Sequence, residues 1–229
     1  MFALGLWDLI VGSFSSLIQF FYNITSMVGL ANYGLAIILI TVFIKMALYP
    51  LTVKQMRSMR SMAELAPKQK AIQEKHKKNP QKAQEEMMKL YKDSGVNPLS
   101  GCLPLLIQLP ILIAFYGALL NFNYANPAHS GFLWVPSLSV SDPYILPLLA
   151  AATTYLQMKV SAPPKNLQTP QSEQMQKMMS VMMPLLIGWM AHTFPAGLAL
   201  YWVTFNTVGI LQQLYINRSF EVQKGEGTA

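Results

Sequence analysis

Between residues 30 and 217 the chain alternates apolar stretches of membrane-spanning length with shorter polar segments. The apolar stretches are 30–51, 98–121, 143–160, 177–194 and 195–217. Each is near the ~20 residues that carry a helix across a ~30 Å hydrocarbon core. In lipid every backbone polar group needs a partner inside the protein, so these stretches predict transmembrane helices. Composition agrees: 52% of the 229 residues are hydrophobic and 12% are charged, against about 25% charged in an average soluble domain. The expected fold class is an all-α integral membrane protein with five transmembrane helices. Prolines at positions 50, 104, 110, 147 and 184 predict kinks within them. The last two stretches meet through His192-Thr193-Phe194-Pro195, which predicts a tight antiparallel pair.

The basic residues set an orientation. Eleven Lys/Arg lie between Lys54 and Lys92. Lys159, Lys165 and Lys177 flank the loop at 161–176, and Arg218 and Lys224 follow the last stretch, in the tail at 218–229. The N-terminal segment, the loop at 122–142 and the turn before Pro195 carry none. The positive-inside rule then predicts a multi-pass membrane protein with its N-terminus outside and its C-terminus cytosolic. In the external loop Tyr124, Phe132 and Trp134 are expected as interface anchors.

Residues 1–29 have no basic n-region, so a cleaved signal is not expected. Trp7, Ile10, Val11, Phe14, Leu17, Ile18 and Phe21 recur at helical spacing, opposite Asp8, Gly12, Ser15, Ser16, Gln19 and Asn23. That pattern predicts an amphipathic helix lying in the membrane interface, with a poor transmembrane span as the alternative.

The segment 52–97 is the one sizeable polar region and predicts a cytosolic helical hairpin of two helices. Asn79-Pro80 starts the second with an N-cap and a proline in the first turn, and Ser94-Gly95 ends it with a residue suited to a left-handed cap. Its eleven basic and five acidic residues suit docking to anionic lipid, ribosomal RNA or a protein partner. They equally suit a solvated hairpin. With Tyr91 the lone aromatic among the charges, dedicated nucleic-acid binding is not expected.

Lys45 is the exception among the 17 basic residues, because it lies within the first stretch. A basic side chain at mid-span costs ~2.5–3.5 kcal/mol on insertion scales. Snorkelling to the cytosolic interface is one escape. It is awkward here, because side chains lean toward the helix N-terminus, which points the other way. The other reading places Lys45 in a wet cavity inside the bundle. Thr41 lies one turn earlier on the same face. Gln108, Thr153, Thr154, Gln157, Trp202, Thr204, Asn206, Thr207, Gln212 and Gln213 supply further polar groups from the other stretches. Each could simply bond across helices; together with Lys45 they favour a polar cavity. No intramembrane carboxylate is present to neutralise it.

No catalytic set emerges, so an enzyme is not expected. His129 and His192 are expected outside and His76 inside, and Cys102 at the inner end of the second stretch has no nearby histidine. One cysteine and three histidines make a metal site unexpected, no phosphate-binding glycine motif occurs, and no cofactor is implied. The 15 methionines, with Met175, Met178, Met179, Met182 and Met183 near the fourth stretch, read first as packing and second as an adaptable apolar surface.

Several motifs in order carry a family resemblance. They are Tyr49-Pro50-Leu51-Thr52; Asn97-Pro98-Leu99-Ser100-Gly101-Cys102-Leu103-Pro104, running on to Gln108-Leu109-Pro110; Leu156-Gln157-Met158; Met183-Pro184; and Pro195-Ala196-Gly197 through Leu200-Tyr201-Trp202, with Gln212-Gln213. In these the chain resembles the YidC membrane protein insertases, relatives of the mitochondrial Oxa and chloroplast Albino proteins, over about residues 30–216. The resemblance implies a five-helix core with a hydrophilic groove open to cytosol and lipid and closed outside. A basic residue, usually arginine, lies in that groove five residues before the proline of Tyr-Pro-Leu; here the place is held by Lys45. Thr41, Gln157 and Trp202 line the groove by the same comparison, and Gln108 and Asn206 join them from the polar set. The chain is similar to the shorter family members without a large periplasmic domain.

The implied function is insertion and folding of membrane-protein clients from the cytosol into the bilayer, alone or with the Sec translocon. Expected partners are nascent membrane proteins, the lipid bilayer, the ribosome and the Sec translocon. The rival reading is a small-solute transporter or channel, for which an intramembrane charge would also serve; no inverted repeat supports it.

Overall fold

The computed structural model describes residues 2–97, 103–120, 122, 124–164 and 167–226. Regular structure among them is helical, apart from a single bridge between Phe132 and Val135. Residues 98–102, which hold part of one family-like motif and the lone cysteine, lie outside the described residues. The helices fall into two compact units. The first comprises Met1–Leu48, Gln108–Ser161 and Ser180–Ala229, and the second Tyr49–Ile107 and Ala162–Met179.

In the first unit, α1 (Phe2–Met27) packs on α2 (Tyr33–Ala47), and α2 packs on α9 (Ala196–Glu226). Of the apolar set expected to lie in the membrane interface, Ile18 is buried and Phe14, Leu17 and Phe21 pack against the core of this unit. Tyr22 and Thr25 are buried as well. Tyr22 stacks on Tyr33 with ring centroids 4.0 Å apart, and its hydroxyl meets His129 Nδ1 at 2.8 Å. Helix α2 starts cleanly because the Asn32 side-chain oxygen accepts from Gly34 N and Leu35 N, filling two of the orphan donors of a first turn.

Helix α2 is shorter than the 30–51 stretch. It stops at Ala47, and α3 (Tyr49–Glu64) begins two residues later. The physical reason is Pro50. It has no N–H to donate to the carbonyl of Met46, and its ring crowds that carbonyl, so the ladder breaks there.

Helix α7 (Ile145–Ser161) packs on α9 more extensively than any other element, and α2 comes next. The tight pairing expected between α8 (Pro170–Thr193) and α9 is therefore not the dominant contact of α9. The two helices are linked through Phe194 and Pro195. Beside that link a narrow apolar crevice is lined by Ile187, Met190, Ala191, Phe194, Leu198, Ala199 and Trp202.

The segment before α7 folds back to finish α9. The first free amides of α9, Ala196 N and Gly197 N, donate to the carbonyls of Val140 (2.7 Å) and Leu138 (3.0 Å). Tyr124 and Phe132, expected as interface anchors, turn inward: Tyr124 lies edge-on to Tyr33 at 4.9 Å, and both pack against the core. The Tyr124 ring finds partners in Tyr33 and Phe122, and Phe132 packs over Gly34 of α2, which a purely local reading of the loop does not reveal. Trp134 stays 44% exposed, and its indole N–H donates to Asp142.

In the second unit the basic hairpin contains three helices rather than two: α3, α4 (Ala66–Lys75) and α5 (Pro80–Asp93). The extra break follows from Pro67, which sits in the first turn of α4 and cannot continue a helix from α3. Asn79 caps α5 by accepting from Lys82 N. Gly95 has φ +65, and Gly95 N and Val96 N donate back to Lys92 O and Tyr91 O, which makes a Schellman end. Helix α4 packs on α5, and Glu86 binds Lys75 (3.2 Å) and His76 (2.9 Å) across the pair.

Among the described residues no single helix is long and apolar enough to cross a membrane by itself. The pair α2 and α3 passes that test together. Length sets α2 and α7 apart from the expected spans, at 15 and 17 residues, and polar residues add to the difference. The first two turns of α8 read Pro-Gln-Ser-Glu-Gln-Met-Gln-Lys, and the second half of α7 carries Thr153, Thr154, Gln157 and Lys159.

Candidate functional site

The polar residues of α2, α7 and α9 gather on their shared faces inside the first unit. Lys45 is in the last turn of α2. Its Nζ stands 3.5 Å above the centre of the Phe205 ring. A cation over an aromatic face is worth ~0.5–2 kcal/mol, more as water is removed. Nζ has no hydrogen bond or ion pair among the described residues, in keeping with a sequence that offers no nearby carboxylate.

Gln157 approaches the same place from α7. Its Nε2 donates to Ser161 Oγ at 2.9 Å, while its Oε1 is buried with no donor. Gly209 of α9 lies between the two. A Cβ built on it would be 2.7 Å from Gln157 Oε1 and 3.0 Å from Lys45 Nζ. The orientation of the carboxamide makes sense beside an ammonium. Its oxygen faces the positive charge, and the reversed amide would point N–H groups at it. Gln212, one turn beyond Gly209, donates from Nε2 to the main-chain carbonyl of Lys45 at 3.1 Å.

Asn206 is buried one turn nearer the start of α9. Its Nδ2 donates to Thr154 Oγ1 (2.9 Å) and Thr153 Oγ1 (3.3 Å). Both threonine hydroxyls in turn donate to carbonyls of their own helix. Gln108, on α6 (Leu103–Leu120), belongs to a separate contact: its Nε2 donates to Tyr201 Oη at 2.6 Å. Thr41 is fully buried, and its hydroxyl donates to Ile37 O at 2.6 Å. Trp202 is half-buried and lines the crevice beside the α8–α9 link.

The structure thus brings Lys45 and Gln157 together, with Asn206 in the neighbouring turn. Gln108, Thr41 and Trp202 are engaged elsewhere in the same unit. Gln212 was already among the polar residues of the sequence; Phe205 and Gly209 are the site members that residue types alone did not single out. Their signal was spacing: positions 205, 209 and 212 share one face of a helix. No group of three or more metal-ligating side chains occurs among the described residues.

Comparison with known proteins places the chain in a family. Residues 23–224 match the model of the 60Kd inner membrane protein family. The chain belongs to that family. YidC relatives include the protein named membrane protein insertase YidC from Helicobacter pylori strain J99, 46% identical over 194 residues, which cover 84% of this chain and 34% of that one. The Wolinella succinogenes YidC is 44% identical over 199 residues, covering 86% and 36%. A crystal structure of an active YidC insertase with its first transmembrane domain resolved superposes with a TM-score of 0.66 at 31% identity, covering 87% of this chain and 45% of that one. The chain therefore spans about a third of the length of the curated YidC relatives it matches.

Proposed function

We propose that this chain is a membrane protein insertase of the bacterial inner membrane, which moves client segments from the cytosol into the bilayer. The observation that carries the reading is the half-buried Lys45 ammonium, without a carboxylate partner among the described residues and set between α2, α7 and α9 of a YidC-family chain. In this reading five membrane-crossing segments, N-terminus outside, enclose a hydrophilic groove whose charged point is Lys45. Gln157 and Asn206 contribute polar wall, and Thr41, Gln108 and Trp202 support it.

A client's short polar outer segment enters the groove and meets the cation in surroundings of lower dielectric than water, where its attraction for an acidic residue is stronger. The client's apolar helix then partitions into lipid. At ~25 cal/mol per Å² of apolar surface, that burial drives completion without nucleotide hydrolysis. The basic hairpin of α3 to α5 receives the client, the ribosome or the Sec translocon on the cytosolic side. Anionic lipid headgroups add to its attraction.

The test is insertion of a single-span client with an acidic N-terminal tail into proteoliposomes containing this protein alone. The native chain is compared with Lys45→Arg, Lys45→Gln and Lys45→Glu, and the tail is scored for protection from external protease. Insertion by the native and Arg forms, with loss in Gln and Glu, supports the reading. Equal insertion by all four removes Lys45 from the mechanism. Insertion no better than with empty liposomes sinks autonomous insertion, and solute flux in the same vesicles would favour a transporter.

A further inference from the structure

We propose that Gly209 and Phe205 form a seat on α9 that positions the Lys45 ammonium beside the carbonyl oxygen of Gln157. The inference rests on the insertase reading and adds two positioning residues to it.

Three observations converge. Nζ lies 3.5 Å from the Phe205 ring centre, so the aromatic face supports the cation from one side. Gln157 Oε1 is buried and lacks a donor, so it faces the region with acceptor capacity to spare. Gly209 offers no side chain where any Cβ would come within 2.7 Å of that oxygen and 3.0 Å of Nζ. A helix interior disfavours glycine relative to alanine, because the backbone loses more freedom on ordering. Here the missing methyl leaves the space that both polar ends use.

The two atoms that a methyl group would strike are the ends of flexible side chains. A larger residue at 209 is therefore accommodated by swinging both away, without unpacking α9 from α7. What is lost is the placement of the charge. A lysine stem is flexible and its ammonium is a compact point charge. Unseated, it spreads over many rotamers. Seated, it presents its charge at a fixed point before the client arrives, and that is how a preorganised group gains over a mobile one.

The experiment uses the full chain in proteoliposomes and two readouts. One is site-resolved acylation of the Lys45 amine, with Lys159 as internal reference. The other is insertion of a single-span client bearing either an acidic tail or the same tail with its acids changed to the corresponding amides. Gly209→Ala, Phe205→Leu, Phe205→Tyr and Lys45→Gln are compared with the native chain. Gly209→Ala and Phe205→Leu are expected to raise Lys45 acylation about fivefold and to lower acidic-tail insertion about fivefold, in line with loss of a moderate cation–π contact. Insertion of the neutral-tail client falls by clearly less than that of the acidic-tail client, and Phe205→Tyr, which keeps the ring, restores Lys45 acylation toward the native ratio.

Unchanged Lys45 acylation in Gly209→Ala and Phe205→Leu overturns the seat. Equal loss for acidic and neutral tails overturns it too, since that marks a general packing role. If Lys45→Gln inserts the acidic-tail client as well as native protein does, the charge-based insertase reading fails, and the acylation ratio alone then upholds or overturns the seat.

Discussion

The side-chain amide of Gln212 donates to the main-chain carbonyl of Lys45 across 3.1 Å, joining α9 to the last turn of α2. Carbonyls in a last helical turn have no intrahelical partner, and Tyr49, whose N–H would continue the ladder to the Lys45 carbonyl, already opens the next helix. Gln212 supplies the missing donor. It therefore fixes the main chain of Lys45, while Phe205 supports the end of its side chain.

Gln212→Ala should loosen this join. The loss is one buried hydrogen bond plus the packing of a 7%-exposed side chain. The cost expected is about 1–2 kcal/mol, moderated because the change also removes a buried Oε1 that has no donor. Thermal unfolding in detergent micelles should show the lowered midpoint. An unchanged midpoint would mean that the α2 carbonyl finds water or another donor as readily.

Asn206 ties α9 to α7 through Thr153 and Thr154. Interhelical hydrogen bonds of this kind in membrane proteins average about 0.6 kcal/mol and reach about 1.7. Asn206→Val should destabilise by an amount in that range, as should Thr154→Val. The double variant should cost less than the two added together. Chemical unfolding of the four proteins closes the cycle, and strict additivity would show that the contact carries no energy of its own.

How far these contacts were legible in the sequence differs by element. The helical class, the cap at Asn79 and the left-handed end at Gly95 follow from local pattern, because capping acts within a few residues. Lys45 and Gln157 stand out as polar residues in apolar runs. Their meeting around Gly209 does not, because it depends on the register of α2, α7 and α9 against one another. Tyr124 and Phe132 show the same limit. Their types suggest interface anchors, yet Tyr124 turns inward onto Tyr33 and Phe132 packs over Gly34 against the same core. The breaks at Leu48 and Leu65 were readable from Pro50 and Pro67, but composition alone gave them less weight than the continuous runs around them.

Leu133 is the one non-glycine residue among those described with positive φ, at +53. It is the first central residue of a tight turn, closed by Phe132 N to Val135 O and Val135 N to Phe132 O, both 2.9 Å. Positive φ at that position is the pattern of a type II′ turn, where glycine is preferred. Leucine pays a steric cost there of roughly 1–2 kcal/mol, and its side chain is 76% exposed, so little packing is returned. Leu133→Gly should therefore raise stability by up to about 1 kcal/mol once the extra freedom of the unfolded glycine is counted. A lowered unfolding midpoint would show that the exposed leucine makes contacts beyond this chain, for instance with lipid.

Asp142 gives the fold a pH dependence with a definite sign. Its Oδ2 accepts from Trp134 Nε1 (2.7 Å) and Leu146 N (2.8 Å), and its Oδ1 from Tyr144 N (3.1 Å) and Ile145 N (3.4 Å). Burial pushes the carboxyl up, but the four N–H donors together outweigh it and hold Asp142 below the ordinary value of 3.8. A depressed folded-state pKa stabilises the fold above the unfolded value. That contribution is complete above about pH 5 and disappears as pH falls below about 4 through the folded value. Asp142→Asn removes the charge and turns an N–H group toward one of the donors. It should cost about 1.5–3 kcal/mol at neutral pH, the range for hydrogen bonds to a charged group. Unfolding midpoints of the native and Asp142→Asn proteins should converge between pH 7 and pH 3 as acid protonates the native carboxylate. Parallel curves across that range would show that Asp142 keeps the same protonation behaviour folded and unfolded, and would remove it as the acid-sensitive clasp between the loop and α7.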